Sequence, residues 1–143
     1  MEPTEIRKLS SETYNKAFEA LEAGEDLVSA VELAATSLNM WRRVGNDRNL
    51  TIGYWLYARA LAFGGAADLA LAASRKSLDH LKNVDSPADW MVASALEGYA
   101  RSAVAAGLPN AADAIKAAVD AIARIEDPED RELIAGQFAD IAG

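Results

Sequence analysis

The chain has 143 residues, is 51% hydrophobic, contains no cysteine and carries a formal net charge of −8. That length can bury a real core without staples, and the missing cysteine excludes a disulfide framework, a thiolate metal site and a cysteine nucleophile. An acidic chain repels phosphate on average, so nucleic acid is not an expected partner.

The opening residues, Met1-Glu2-Pro3-Thr4-Glu5, are acidic and polar, unlike a signal peptide. No apolar run approaches the ~18 residues that a membrane span needs. The expectation is a soluble, cytoplasmic chain with no membrane partner.

A first helix is predicted over 4–23, carrying Tyr14, Phe18 and Leu21 and stopped by Gly24. The second, 26–44, places Leu27, Val31, Ala34, Leu38 and Trp41 at i, i+4, i+7 spacing, the stripe of a half-buried helix. Arg42 and Arg43 fall in its last turn, where cations offset the negative end of the macrodipole. The third, 47–63, is apolar nearly all round, with Tyr54, Tyr57, Ala58 and Leu61 on one face and Ile52, Trp55, Leu56 and Phe63 on another. Such a helix is buried, or carries an apolar surface that something else covers.

The fourth helix, 66–84, follows Gly64-Gly65 and holds the chain's one histidine, His80, which reads as a surface residue near a helix C-terminus. Ser86-Pro87-Ala88-Asp89 predicts the start of a fifth helix over 87–106, by an N-cap oxygen, a proline at N1 and a carboxylate at N3. Asn110 and Asp113 offer a weaker form of that chemistry for a sixth over 110–126. Asp127-Pro128-Glu129-Asp130 repeats it for a seventh over 128–142, with Ile134, Phe138 and Ile141 as its apolar face. No stretch alternates with period two, so no strand is expected. The links are short, which makes consecutive helices antiparallel neighbours.

Three segments read alike: Ala30-Val31-x-x-Ala34-x-x-Ser37-Leu38, Ala70-Leu71-x-x-Ser74-x-x-Ser77-Leu78 and Ala114-Ile115-x-x-Ala118-x-x-Ala121-Ile122. Each follows a glycine-bearing turn and a helix containing Tyr14-Phe18-Leu21, Tyr54-Ala58-Leu61 or Tyr99-Ala103-Ala106. A self-similar unit of this length is the signature of stacked helical hairpins. One amphipathic hairpin cannot bury its face alone, so three in series share a continuous core.

This grammar resembles the tetratricopeptide-repeat (TPR) family, over roughly residues 12 to 125. The middle unit matches best, through Tyr54, Ala58, Leu61, Gly65, Ala70, Ser77 and Leu78. The usual repeat is about 34 residues; here the steps from Tyr14 to Tyr54 and on to Tyr99 are 40 and 45. The aromatic usual in the second helix is replaced by Ala34, Ser74 and Ala118, which marks a divergent relative. The resemblance implies an all-α fold: one domain over 1–143, a right-handed TPR-like superhelix of three antiparallel hairpins (4–44, 47–84 and 87–126) and a capping helix at 128–142.

The resemblance further implies a non-catalytic module that binds a peptide or partner protein on its concave face. Carried over, that face holds Asn15, Lys16 and Glu19 from the first unit, Trp55, Leu56 and Arg59 from the second, and Arg101 from the third. Asn15 and Lys16 are neighbours rather than a matched pair, which departs from the carboxylate clamp of some relatives. No catalytic, phosphate-cradling or metal-ligand motif stands in the chain, so no enzyme activity, metal or cofactor is expected. Two other readings stand beside this one. A helical bundle would bind a small ligand in an interhelical pocket near Tyr54, Tyr57 and Tyr99. A homodimer would use the apolar surface of the third or the last helix.

Overall fold

The computed structural model describes residues 1–142, and its helices are α1 (Pro3–Ala23), α2 (Leu27–Val44), α3 (Asp47–Phe63), α4 (Ala67–Leu81), α5 (Asp89–Ala105), α6 (Ala111–Ala123) and α7 (Pro128–Ala142). There is no strand among the described residues. Helices α1 with α2, α3 with α4, and α5 with α6 form three antiparallel hairpins. Each hairpin packs on the next through its second helix, and α1, α3, α5 and α7 also touch in series. Helix α7 meets α5 and α6 just as α5 meets α3 and α4. It therefore stands where the first helix of a fourth hairpin would stand.

Local chemistry sets the helix ends. The Asp26 carboxylate accepts from the Ser29 amide at 3.0 Å and hydroxyl at 2.6 Å, and those bonds hold its carboxyl below the usual range. A reciprocal cap opens α3: the Asn46 side chain accepts from the Arg48 and Asn49 amides, and Asn49 accepts from the Asn46 amide. The Asp127 carboxylate accepts from the amides of Glu129 at 2.8 Å and Asp130 at 3.3 Å, with Pro128 at N1 as its spelling predicts. Gly24 and Gly107 take left-handed backbone at φ 65° and 68°, where other residues are strained.

Two predicted caps do not form. Ser86 adopts φ 48° and α5 begins at Asp89, because the Asp89 carboxylate accepts from the Glu126 amide at 3.0 Å across the array. Asn110 likewise turns outward, and its amide donates to the Tyr99 hydroxyl at 3.2 Å.

The repeated small residues are the seams of the hairpins. Ala17, Ala30, Ala58, Ala70, Ser74, Ala100, Ala103 and Ala118 have no measurable exposure. Small side chains let helix axes approach toward the short end of the ~8–10 Å range. Two seams also carry a hydroxyl clasp. Ser37 Oγ donates to the Ser10 carbonyl at 2.8 Å and Ser77 Oγ to the Thr51 carbonyl at 2.7 Å, all buried. The third unit has Ala121 at this place and no clasp. Ser77→Ala is therefore expected to lower stability by about 1 kcal/mol in urea melts, the net worth of one intramolecular hydrogen bond.

Helix α3 is apolar all round because it is central, touching α1, α2, α4 and α5. Its Tyr54 face joins Leu38, Leu61 and Ala70 in one core, while Trp55, Leu56 and Ala60 join Ala17 and Ala34 in another. Helices α5, α6 and α7 build a third core around Ile122, Ile125, Ile134 and Phe138. His80 is not a free surface residue. Its Nδ1 lies 2.9 Å from Asp47 Oδ1, and its ring stacks on Tyr54 at 5.6 Å between centroids and 9° between planes. Arg42 completes the cluster by donating to the Tyr54 hydroxyl, with Nε at 3.1 Å.

Candidate functional site

One face of the array, built by α1, α3, α5 and α7 with Trp41 from the end of α2, carries three adjoining concavities. The largest, about 280 Å³, is walled by Tyr14 and Phe18 from α1, Ile52 and Trp55 from α3, Trp90 and Met91 from α5, and Leu133 and Ile134 from α7. Asn15, Thr51, Ser94, Asp130 and Gln137 supply its polar edges. A second of about 170 Å³ shares Tyr14, Asn15 and Ile52 with it and extends to Trp41 and Asn49. A third of about 130 Å³ shares Phe18 and extends to Leu21, Glu22, Arg59 and Phe63. They form one groove, and all three tryptophans of the chain lie along it. Burial also pushes the Tyr14 hydroxyl well above the usual tyrosine range, against the opposing pull of the Arg59 charge.

Behind the groove lies a buried ionic network. Glu97 is 1% exposed and stands at its centre. One of its oxygens accepts from Trp55 Nε1 at 2.9 Å and Arg59 Nη1 at 3.3 Å; the other accepts from Arg101 Nε at 3.0 Å. Arg101 then closes a two-pronged pair on Asp140 at 2.7 and 2.8 Å. Both guanidiniums also donate to the Gln137 carbonyl, Arg101 at 2.9 Å and Arg59 at 3.2 Å. Phe63 sits against the pair, with the guanidinium carbons 5.1 Å (Arg59) and 4.8 Å (Arg101) from its ring centroid. Two guanidiniums meet two carboxylates, and every buried side-chain nitrogen and oxygen among the described residues has a partner.

The charges respond to this setting. Desolvation pulls the Arg59 pKa down, and Glu97 opposes it. Desolvation also acts on Arg101, but the Asp140 hydrogen bonds and the Glu97 charge together outweigh it and raise its pKa. The Arg101 hydrogen bond holds the Asp140 carboxyl below the usual range. A carboxyl depressed by folding contributes stability above its unfolded pKa of about 3.9, and that contribution is lost as pH falls through the folded value. Urea melts should therefore show a loss of stability below about pH 4 that is smaller in Asp140→Asn.

The structure sorts the residues read from the sequence. Trp55, Arg59 and Arg101 do come together, but they are 5%, 9% and 4% exposed and bind Glu97. Only Trp55 among these three lines the main concavity. Asn15 is exposed and lines it as well; Lys16 and Glu19 are exposed on α1 beside it. Leu56 does not face the groove: it is 1% exposed and packs with Ala17 and Ala34 between α1 and α2. Tyr54 and Tyr99 belong to the cores of different hairpins and do not share a pocket. Glu97, Gln137, Asp140 and Trp90 were not singled out. A signal for one of them was present: Glu97, at i, i+4 spacing from Arg101, stands with it among Ala93, Ala95, Ala100 and Ala103. Charges on such a face are buried, and buried charges are paired.

Helices of this number, order and packing define a TPR-like helical repeat module. The chain is similar over its whole length to the crystal structure of a TPR-like protein from Chlorobium tepidum, with a TM-score of 0.76, 18% sequence identity and full coverage of both chains. No family model matches the sequence. No curated protein matches it. No helix among the described residues is long and apolar enough to cross a membrane, and no cluster of three or more metal-ligating side chains occurs among them.

Proposed function

We propose that the groove along α1, α3, α5 and α7 binds a segment of another protein, without chemistry of its own. The observation that carries this reading is the placement of Trp41, Trp55 and Trp90 along one groove. Tryptophan is enriched among the few residues that dominate interface energetics, and such residues line well-packed pockets. A single carboxylate, Asp130, lines the main concavity of the groove, whereas general acid–base catalysis by paired carboxylates needs two with separated pKa values. The volume of about 280 Å³ lies just below the roughly 300–1,000 Å³ of pockets that enclose a drug-sized ligand. It suits one or two apolar side chains of a larger partner better than a whole small molecule.

A filling substitution tests this. Ser94 is a half-buried residue of the concavity outside the ionic network. Ser94→Phe should place a ring in the space while leaving the helical circular dichroism signal intact. Peptides selected on the wild-type protein should bind the variant more than tenfold more weakly, a loss of at least about 1.4 kcal/mol. Equal binding by a folded Ser94→Phe protein would refute the groove.

A further inference from the structure

We infer that the groove selects a cationic segment with an apolar centre, about six extended residues long, and rejects acidic ones. This rests on the reading of the groove as a binding site and specifies its partner. The length follows from the geometry. The three concavities run along α3 from Asn49 to Phe63, which is about 21 Å at ~1.5 Å per residue. An extended chain covers that in about six residues.

The charge preference follows from which charges are already used. Lys16 is exposed on α1 outside the three concavities; of the two guanidiniums, Arg59 lines the third and Arg101 lies behind it. Both guanidiniums are buried, and both spend their donors on Glu97, Gln137 and, for Arg101, Asp140. A ligand carboxylate would have to displace those bonds. Asp130 and Glu22, by contrast, line the groove with no ion-pair partner within 4 Å among the described residues. Asp130 lies on the first turn of α7, near Trp90. Glu22 lies toward the opposite end, beside Phe63, where Asp140 keeps 51% of its side chain exposed. At that end two guanidiniums face three carboxylates. The groove thus has an apolar middle with Asp130 at its polar edge, and a net negative charge at the Glu22 end, on a chain whose overall charge is −8. Complementary charge at the rim steers association and suppresses like-charged partners.

Selection from a random twelve-residue peptide library tests this, run in parallel on the wild-type protein and on Ser94→Phe, which carries the same charge. Sequences enriched on the wild type alone should hold Leu, Phe or Trp between Lys or Arg. With an enriched peptide, followed by tryptophan fluorescence, Asp130→Asn and Glu22→Gln should each weaken binding by about threefold to tenfold at 0.05 M salt, and by less at 0.5 M, where charges are screened. Enrichment of neutral or acidic peptides on the wild type alone would overturn the charge preference and leave the groove standing. Affinity unmoved by both substitutions would do the same. Equal enrichment on the two proteins, or none, would overturn both readings.

Discussion

Glu97→Ala is expected to lower the unfolding free energy by about 3–5 kcal/mol, the usual cost of removing one partner from a buried ion pair. The substitution leaves two guanidiniums facing each other across a space without an anion, and the Trp55 indole N–H without its acceptor. For a chain of this size, each kcal/mol is worth roughly 3 °C in melting temperature, so a fall of about 10–15 °C should appear by calorimetry. Glu97→Gln keeps an acceptor oxygen of nearly the same shape but no charge, and should recover part of the loss. A Glu97→Ala protein within about 1 kcal/mol of wild type would mean that the network contributes little beyond its own desolvation.

Gly98→Ala should destabilise by about 2 kcal/mol, although alanine is the better helix former. Propensity alone favours the substitution by about 1 kcal/mol. Packing opposes it: a Cβ at Gly98 would lie 2.9 Å from Trp55 Cδ1. The indole has little room to yield. Glu97 holds its nitrogen at 2.9 Å, and Phe18 packs against it with centroids 6.3 Å apart. Overpacking a rigid site costs typically up to about 3 kcal/mol, which outweighs the propensity gain. The same change should alter the emission of Trp55, so fluorescence and urea denaturation report on one event. A Gly98→Ala protein more stable than wild type would show that the indole can move aside.

Much of the fold was legible because its rules are local. Helix periods, the Asp127-Pro128 start and the glycine stops depend on residues within one or two turns of each other. The predicted ends that failed did so for non-local reasons: Asp89 serves the Glu126 amide rather than its own helix, and Asn110 serves Tyr99. His80 was misread in the same way, since Asp47 lies 33 residues away in sequence. Of the residues that the resemblance places on the concave face, Arg59, Arg101 and Leu56 are buried. Arg59 and Arg101 read as exposed anchors until Glu97 and Asp140 are placed against them. Leu56 differs from Trp55 by one helical step of about 100°, enough to move it from the groove wall to the core. No family model matches although the architecture is kept. The repeat is maintained by small residues at crossing points, and several residue types satisfy that requirement.

The Gln137 carbonyl has a consequence for how the molecule comes apart. A stack in which each unit touches only its neighbours can fray from either end, one unit at a time. Here Arg59, on α3, reaches past α5 to the same backbone oxygen that Arg101 holds on α7. The last helix is thus tied to the middle of the chain as well as to its neighbour. Peeling α7 away exposes the charges of two hairpins at once, so the C-terminal half should open as one cooperative block, while α1 and α2, which lie outside this tie, remain the softer end.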